Sequence, residues 1–385
     1  MYINRLIEDE IFFSLKHFPV TAITGPRQCG KSTLARKITA GRDDVIFLDL
    51  ERPEDLRKLQ DPQWFFTSVK ANLFCIDEIQ RMPEIFPLIR SLTDEWARPG
   101  CFLILGSASR DLLRQSSESL AGRISYKRMS PFLTEELPLQ EDLPAYITRG
   151  GFPRSLLADH PKASYQWRED FIQTFLERDL LQWRLFTPAT MRRLWQMLAH
   201  MNGQSVNYAS LASALDMTGT TVKSYIDLLS STYMIEVVAP WFSNMKKRLV
   251  KAPKVYVADS GITACLLGQK TYESLIGHPA IGAVWEQVVL SNLRGHFPDA
   301  EICYYRTAAG SEMDFVMREN ENLIAIECKF SLSPGLNKGN HNAIEDIRPA
   351  RTFLVTPAKQ GWPVAPGIQT VSLKELIAEI ALAQG

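Results

Sequence analysis

Largely apolar runs mark the first third of the chain: Phe18 to Thr24, Val45 to Leu50, Leu73 to Ile76 and Cys101 to Leu105. Runs of this length without polar alternation predict strands covered on both faces, as in a parallel sheet. A helix is expected at Leu34 to Thr39, and a further strand around Ile124 to Met129. From Glu135 to Trp183 the spacing turns helical, with a break at Gly150-Gly151-Phe152-Pro153 and a long amphipathic stretch at Tyr165 to Phe186. Tyr208 to Leu215 and Thr220 to Leu229 read as short helices joined by the turn Asp216-Met217-Thr218-Gly219, and strands are expected at Met234 to Ala239 and Val255 to Ala258. Trp285 to Leu293 is an apolar-striped helix. Strands at Ile302 to Thr307, Glu312 to Met317 and Leu323 to Phe330 follow, and their short connections predict an antiparallel meander. Phe353 to Val355 and Ile368 to Ile380 supply further strand and helix cover, while Pro334 to Asn340 and His341 read as loop.

The first run leads into Gly25-Pro26-Arg27-Gln28-Cys29-Gly30-Lys31-Ser32-Thr33, which fits GxxxxGK[ST] at every fixed position. The glycines let backbone wrap a phosphate, so that successive N–H groups and a helix N-terminus face the anion. Lys31 would neutralise the β and γ phosphates of ATP, and Ser32 would offer a hydroxyl to Mg²⁺, which prefers hard oxygen ligands. A glycine turn matches such a pattern by chance often enough that a second element is required. Leu73 to Ile76 supplies it by ending in Asp77-Glu78, an acidic pair at the carboxyl end of a buried strand, where open α/β sheets bind ligands. Asp77 is expected in the Mg²⁺ shell and Glu78 beside the attacking water, which makes the reaction ATP hydrolysis.

The fourth run ends in Gly106-Ser107-Ala108-Ser109. Ser107 is expected either to touch the γ phosphate or to cap a helix at Asp111. Arg123, after Ser119-Leu120-Ala121-Gly122, reads either as an arginine finger on phosphate of its own or a neighbouring subunit, or as a surface ion pair.

In this order the phosphate loop, the Asp77-Glu78 strand, Gly106-Ser107-Ala108-Ser109 and Leu120-Ala121-Gly122-Arg123 resemble the AAA+ related prokaryotic ATPases that carry a DUF4143 C-terminal region. The chain departs from their commonest form at Cys29, where valine is more usual, and at Ser32, where threonine is; neither change removes a needed group. The resemblance implies a helical lid, in which Arg178 is either a nucleotide sensor or an ion-pair partner of Asp179, and assembly into a homo-oligomer, commonly a ring.

A helix, a short turn with glycine and a second helix opening on threonines form a helix-turn-helix pattern, whose second helix can enter a major groove. Thr220, Thr221, Lys223 and Ser224 are the candidate contacts. Lys246, Lys247 and Arg248, joined by Lys251 and Lys254, would tip a β-hairpin wing able to sit on phosphates. Many winged helices instead dock proteins.

Further on, Asp314 falls on the second meander strand, and Glu327 and Lys329 on one face of the third. Asp followed by Glu-x-Lys resembles the PD-(D/E)xK nuclease pattern. Asp314 and Glu327 would hold Mg²⁺, with Glu286 as a further ligand and Lys329 balancing charge on the phosphate. The bland reading is a set of surface ion pairs.

Lys plus Arg and Asp plus Glu both number 43, so bulk charge predicts no polyanion partner and any nucleic-acid surface must be a local patch. Six scattered cysteines without a CxxC pair argue for reduced thiols, a cytoplasmic setting and no zinc knuckle. Met1 to Glu10 has no apolar signal core, and no apolar run approaches a membrane span, so no membrane partner is expected.

The expected architecture is a multidomain α/β protein: a P-loop AAA+-like parallel-sheet core over 1–134, a helical lid over 135–200, a winged helix over 201–275 and a PD-(D/E)xK nuclease-like α/β domain over 276–385. ATP and Mg²⁺ are the expected cofactors and DNA the expected partner. The alternative is an ATP-switched signalling or scaffold protein that binds protein partners, with a vestigial nuclease-like domain.

Overall fold

The computed structural model describes residues 2–107, 119–137, 142–179, 187–241, 249–319 and 322–384. The chain divides into two compact units, Met1–Phe132 with Ser231–Tyr233, and Leu133–Ser230 with Met234–Gly385.

In the first unit the apolar runs become a parallel sheet of β1 (Val20–Gly25), β2 (Val45–Asp49), β3 (Leu73–Asp77), β4 (Phe102–Ser107) and β5 (Ile124–Arg128), in the order β2-β3-β4-β1-β5. Both faces are covered, which is why the runs do not alternate. Val20, Ala22, Phe74, Ile76, Phe102 and Ile104 share one core with Phe66, Phe86 and Ile89, from the helices Pro62–Ser68 and Phe86–Trp96. Ile23, Leu73, Cys75, Leu103 and Leu105 share another with Ile11, Leu34 and Ile38, from the helices Glu8–His17 and Lys31–Thr39. Each fully buried side chain of this size contributes about 1.5–3 kcal/mol.

The second unit is built on a mixed sheet. Its strands are β6 (Gln204–Ser205), β7 (Ile235–Pro240), β8 (Lys254–Val257), β9 (Ile302–Arg306), β10 (Glu312–Glu319), β11 (Asn322–Cys328), β12 (Arg351–Thr356), β13 (Trp362–Ala365) and β14 (Ile368–Ser372). Their order is β13-β14-β12-β11-β10-β9-β7-β8-β6. The meander β9-β10-β11 is antiparallel as its short connections require, while β11, β12 and β14 run parallel. Pairing of β7 with β9 makes the hairpin β7-β8 continuous with the C-terminal strands.

The helices Pro161–Thr174, Pro188–His200, Tyr208–Ala214 and Gly219–Ser231 bury Phe171, Leu194, Leu211 and Ile226 in one core, so segments 135–200 and 201–275 share an interior. The Gly150-Gly151 break is organised by buried Asp259. Its carboxylate accepts the Gly151 N–H at 2.7 Å and caps the helix Ser260–Leu266 through the Ile262 N–H at 3.0 Å.

One element departs from the sequence reading. His341 lies in a helix, Lys338–Ile347, where a loop was expected. Asn337 caps it by accepting the Asn340 N–H at 3.0 Å, and Asn340 reciprocates on the Asn337 N–H, also at 3.0 Å. A reciprocal Asn pair starts a helix as a capping box does, despite the glycines around it.

Candidate nucleotide site and C-terminal acidic cluster

β1 ends at Gly25, and the helix Lys31–Thr39 opens after the loop of residues 26–30. Gly25 has φ +156°, and a Cβ there would stand 2.1 Å from the Met129 carbonyl oxygen, so only glycine fits beneath the loop. Buried Lys31 donates from Nζ to the carbonyls of Gly25 (3.0 Å) and Pro26 (2.8 Å), holding its ammonium inside the loop. Gln28 (φ 60°) and Glu78 (φ 55°) are non-glycine residues in left-handed backbone, a strain that concentrates at functional sites.

Asp77 is buried at the end of β3, where it accepts the Glu78 N–H at 3.0 Å and the Ser32 hydroxyl. Burial pushes its carboxyl above the ordinary value, with those two hydrogen bonds opposing. Burial likewise raises Glu78, against the pull of Lys31 and Arg27; its side chain accepts a hydrogen bond from the Gln80 amide. The Ser32 hydroxyl in contact with the Asp77 carboxylate is a pair of hard oxygens that fits Mg²⁺, which typically takes one or two protein ligands and fills the rest with phosphate and water. The backbone loop, Lys31 and the helix N-terminus together suit a triphosphate.

The register pairs Ser107 with Gly25, placing its backbone beside the phosphate loop; its side chain lies outside the described residues, as do those of Arg178 and Asp179. Of its two readings, Arg123 takes the ion pair in the structure. It precedes β5, and its carbonyl accepts the N–H of Val20 at the opposite end of β1 from the loop, about 16 Å away at strand rise. Its guanidinium pairs with Asp94 through Nε (2.5 Å) and Nη2 (2.9 Å). Phosphate of its own subunit is out of reach, so of the finger reading only contact with a neighbouring subunit's phosphate remains beside the ion pair.

Arg5 escaped the sequence reading. Buried, it donates to the carbonyls of Cys29 (3.1 Å), Ser130 (2.7 Å) and Pro131 (3.2 Å) and stacks on Phe132, tying the phosphate loop to the segment after β5. A contact spanning 125 residues leaves no local pattern to read. The Arg5→Met variant is expected to lose about 1.5–3 kcal/mol per charge-assisted bond and to bind nucleotide more weakly. Urea unfolding and a fluorescent-nucleotide titration check this; unchanged affinity would confine Arg5 to stability.

In the second unit Asp314 lies within a bulge of β10 between Met313 and Val316, a device that re-aims side chains. It accepts the Cys328 N–H at 2.9 Å. Lys329 Nζ contacts Glu327 Oε1 at 2.6 Å, and the other oxygen, Oε2, is buried with no hydrogen-bond partner among the described residues. Glu286, from the helix Ile281–His296, accepts the Tyr256 hydroxyl at 2.9 Å. Burial first, then the nearby Asp314 charge, pushes Glu286 and Glu327 each up to about 8.

Lys254 is also corrected. Far from tipping an exposed wing, it is 2% exposed on β8, with Nζ 2.9 Å from Glu312 and 3.6 Å from Asp314. Alternation puts Lys254 and Tyr256 on one face of β8, and that pairing of polar residues inside an apolar strand was the available signal. These residues do not fit a divalent ion: among the described residues no group of three or more His, Cys, Asp or Glu side chains could hold one, and cations already engage the carboxylates.

Thr220, Lys223 and Ser224 are exposed on the helix Gly219–Ser231, and Thr221 is half-buried. The Thr218 hydroxyl caps it by accepting the Thr221 N–H at 3.1 Å. Lys246, Lys247 and Arg248 lie outside the described residues. No helix among the described residues is long and apolar enough to cross a membrane.

The parallel sheet, phosphate loop and acidic pair define an AAA-type P-loop ATPase. Residues 17–138 match the AAA domain, residues 140–273 the domain of unknown function DUF8612 and residues 281–376 the domain of unknown function DUF4143. The chain belongs to the family of AAA-domain ATPases with a DUF4143 C-terminal region. It is 36% identical over 365 residues, 94% of its own length and 82% of theirs, to the uncharacterized proteins Rv2008c of Mycobacterium tuberculosis and Mb2031c of Mycobacterium bovis. Among solved structures, the Walker-type ATPase PABY2304 of Pyrococcus abyssi is 18% identical with a TM-score of 0.48, over 69% of this chain and 96% of that one. The RuvB Holliday junction branch migration motor of Thermotoga maritima is 15% identical with a TM-score of 0.29, over 60% of this chain and 88% of that one.

Proposed function

We propose that the chain hydrolyses Mg²⁺-bound ATP to drive remodelling or processing of DNA, working as a homo-oligomer. The observation that carries the DNA reading is the capped helix Gly219–Ser231, which presents Thr220, Lys223 and Ser224 to solvent after a short turn, in a chain whose other unit is an ATPase. Glu78 orients the water, Lys31 steadies charge on the β and γ phosphates, and Ser32 and Asp77 hold the Mg²⁺, which supplies Lewis-acid neutralisation of the phosphates. The C-terminal cluster, its Asp314 and Glu327 carboxylates buried and already engaged, does not cut.

DNA binding by the native chain, Lys31→Ala and Glu78→Gln, measured with and without ATP, tests the coupling. ATP is expected to change the DNA affinity of the native chain and leave that of Lys31→Ala unmoved, while Glu78→Gln holds the ATP-bound affinity. Lys223→Ala is expected to weaken binding and lower its salt slope by about one. The balanced net charge favours a second reading, an ATP-switched scaffold for protein partners. That reading prevails if duplex, branched and single-stranded DNA all leave ATP turnover unchanged and none binds at low salt.

A further inference from the structure

The acidic cluster of the second unit is assembled from two stretches of chain that match different families. Glu286, Glu312, Asp314, Glu327 and Lys329 lie within the DUF4143 match, whereas Lys254 and Tyr256 come from β8 in the preceding DUF8612 match. Lys254 is the most buried cation of the set and bridges Glu312 and Asp314, at 2.9 and 3.6 Å. Lys329 covers Glu327 at 2.6 Å, and Arg306 approaches the other oxygen of Glu312 at 3.6 Å. Space is reserved for this arrangement: a Cβ on Gly203, which has φ +73°, would stand 3.0 Å from both Glu286 Oε2 and the Tyr256 ring. Glu286, Glu312, Asp314 and Glu327 thus lie among three cations, of which Lys254 alone is fully buried, and Glu327 Oε2 is a buried oxygen without a hydrogen-bond partner among the described residues. A divalent ion would add two positive charges beside the buried Lys254 ammonium, and an uncompensated buried charge is costly whichever its sign.

We propose that Lys254 is the built-in cation of this cluster, supplying the neutralisation that a divalent ion supplies in nuclease-like sites, so that the native cluster is closed to Mg²⁺ and Mn²⁺. Removing its charge without removing its bulk converts the cluster into a divalent-cation site. The middle segment thereby completes, and shuts, a site whose acids all belong to the C-terminal one.

Mn²⁺ binding to the full-length, nucleotide-free chain, read by the loss of the free-ion electron paramagnetic resonance signal, tests this. An Asp77→Asn background removes the acidic ligand of the ATP site. In that background the chain with Lys254 is expected to take up no Mn²⁺ that depends on Asp314. Lys254→Met is expected to gain one Mn²⁺, with an affinity at least about tenfold above any shown by the Lys254 chain, and to lose it when Asp314→Asn is added. Lys254→Arg, which keeps the charge, is expected to behave as the native residue does. The proposal is overturned if the Lys254 chain binds Mn²⁺ in a manner lost in Asp314→Asn, or if Lys254→Met folds and gains no Mn²⁺. Should Lys254→Met not fold, the comparison of the Lys254 chain with Asp314→Asn still decides.

Discussion

Glu78→Gln is expected to cut steady-state ATP turnover by about 10²–10⁴-fold, the usual contribution of a positioned general base, while leaving ATP affinity nearly intact. Glutamine has the same length and can still accept the hydrogen bond that Gln80 donates, so the left-handed turn at this position keeps its shape. What it cannot do is polarise water with a full negative charge. The native rate should also rise with pH through a value above that of an ordinary carboxylate, because burial holds the Glu78 proton more tightly. That rise should vanish in the variant. Lys31→Ala provides the contrast, since it removes the ammonium seated within the phosphate loop and should weaken binding as well as turnover. Single-turnover hydrolysis beside equilibrium nucleotide binding separates the two effects. A Glu78→Gln protein with near-native turnover would assign the base elsewhere.

The legibility of this site follows from how local its determinants are. The phosphate loop and its helix occupy one short stretch, and Asp77-Glu78 closes one apolar run, so spacing alone placed both beside each other across a parallel sheet. Asp314, Glu327 and Lys329 stood out in the sequence for a similar reason, as charged residues beside short apolar runs, although the β10 bulge at Asp314 and the end of β11 at Cys328 mean that alternation alone does not fix their facing. What local pattern could not convey was the company these acids keep. Lys254 sits near a run of cations in sequence and looks like another of them, yet the strand beginning there turns it inward. Arg5 is separated from Ser130 and Pro131 by most of the first unit. Arg123 follows a motif open to either phosphate or an ion pair, and strand direction, which carries it to the end of β1 away from the phosphate loop, decides for the pair with Asp94. The lid and helix-turn-helix segments each showed helical spacing, which says nothing about whether two segments bury that spacing separately or, as here, in one core.

The buried acids of the second unit also dictate how stability depends on pH. Glu286 and Glu327 titrate near 8 in the folded chain against an ordinary 4.5, because burial and the Asp314 charge disfavour their ionised forms. Between those values the folded state holds protons that the unfolded state has released. The free energy of unfolding must therefore fall as pH rises through that window, and the stabilisation is complete only below it. A shift of this size amounts to a few kcal/mol for each group, on the order of 1.4 kcal/mol per pH unit, shared between two acids that repel each other. The carboxylates held low, Asp44 by Arg42 and Glu135 by His296, act with the opposite sign but only at the acid end, below the ordinary carboxylate range. Urea midpoints are accordingly expected to drop between about pH 4.5 and about pH 8 in the native chain and to level off above it, against the more common plateau across neutrality. Glu286→Gln, which can still accept the Tyr256 hydroxyl, should flatten that slope and be relatively more stable at the alkaline end. Midpoints that climb with pH, or a Glu286→Gln slope equal to the native one, would mean that the fixed cations around the cluster keep both acids ionised throughout. Lys254 would then neutralise the cluster more completely than its two contacts indicate.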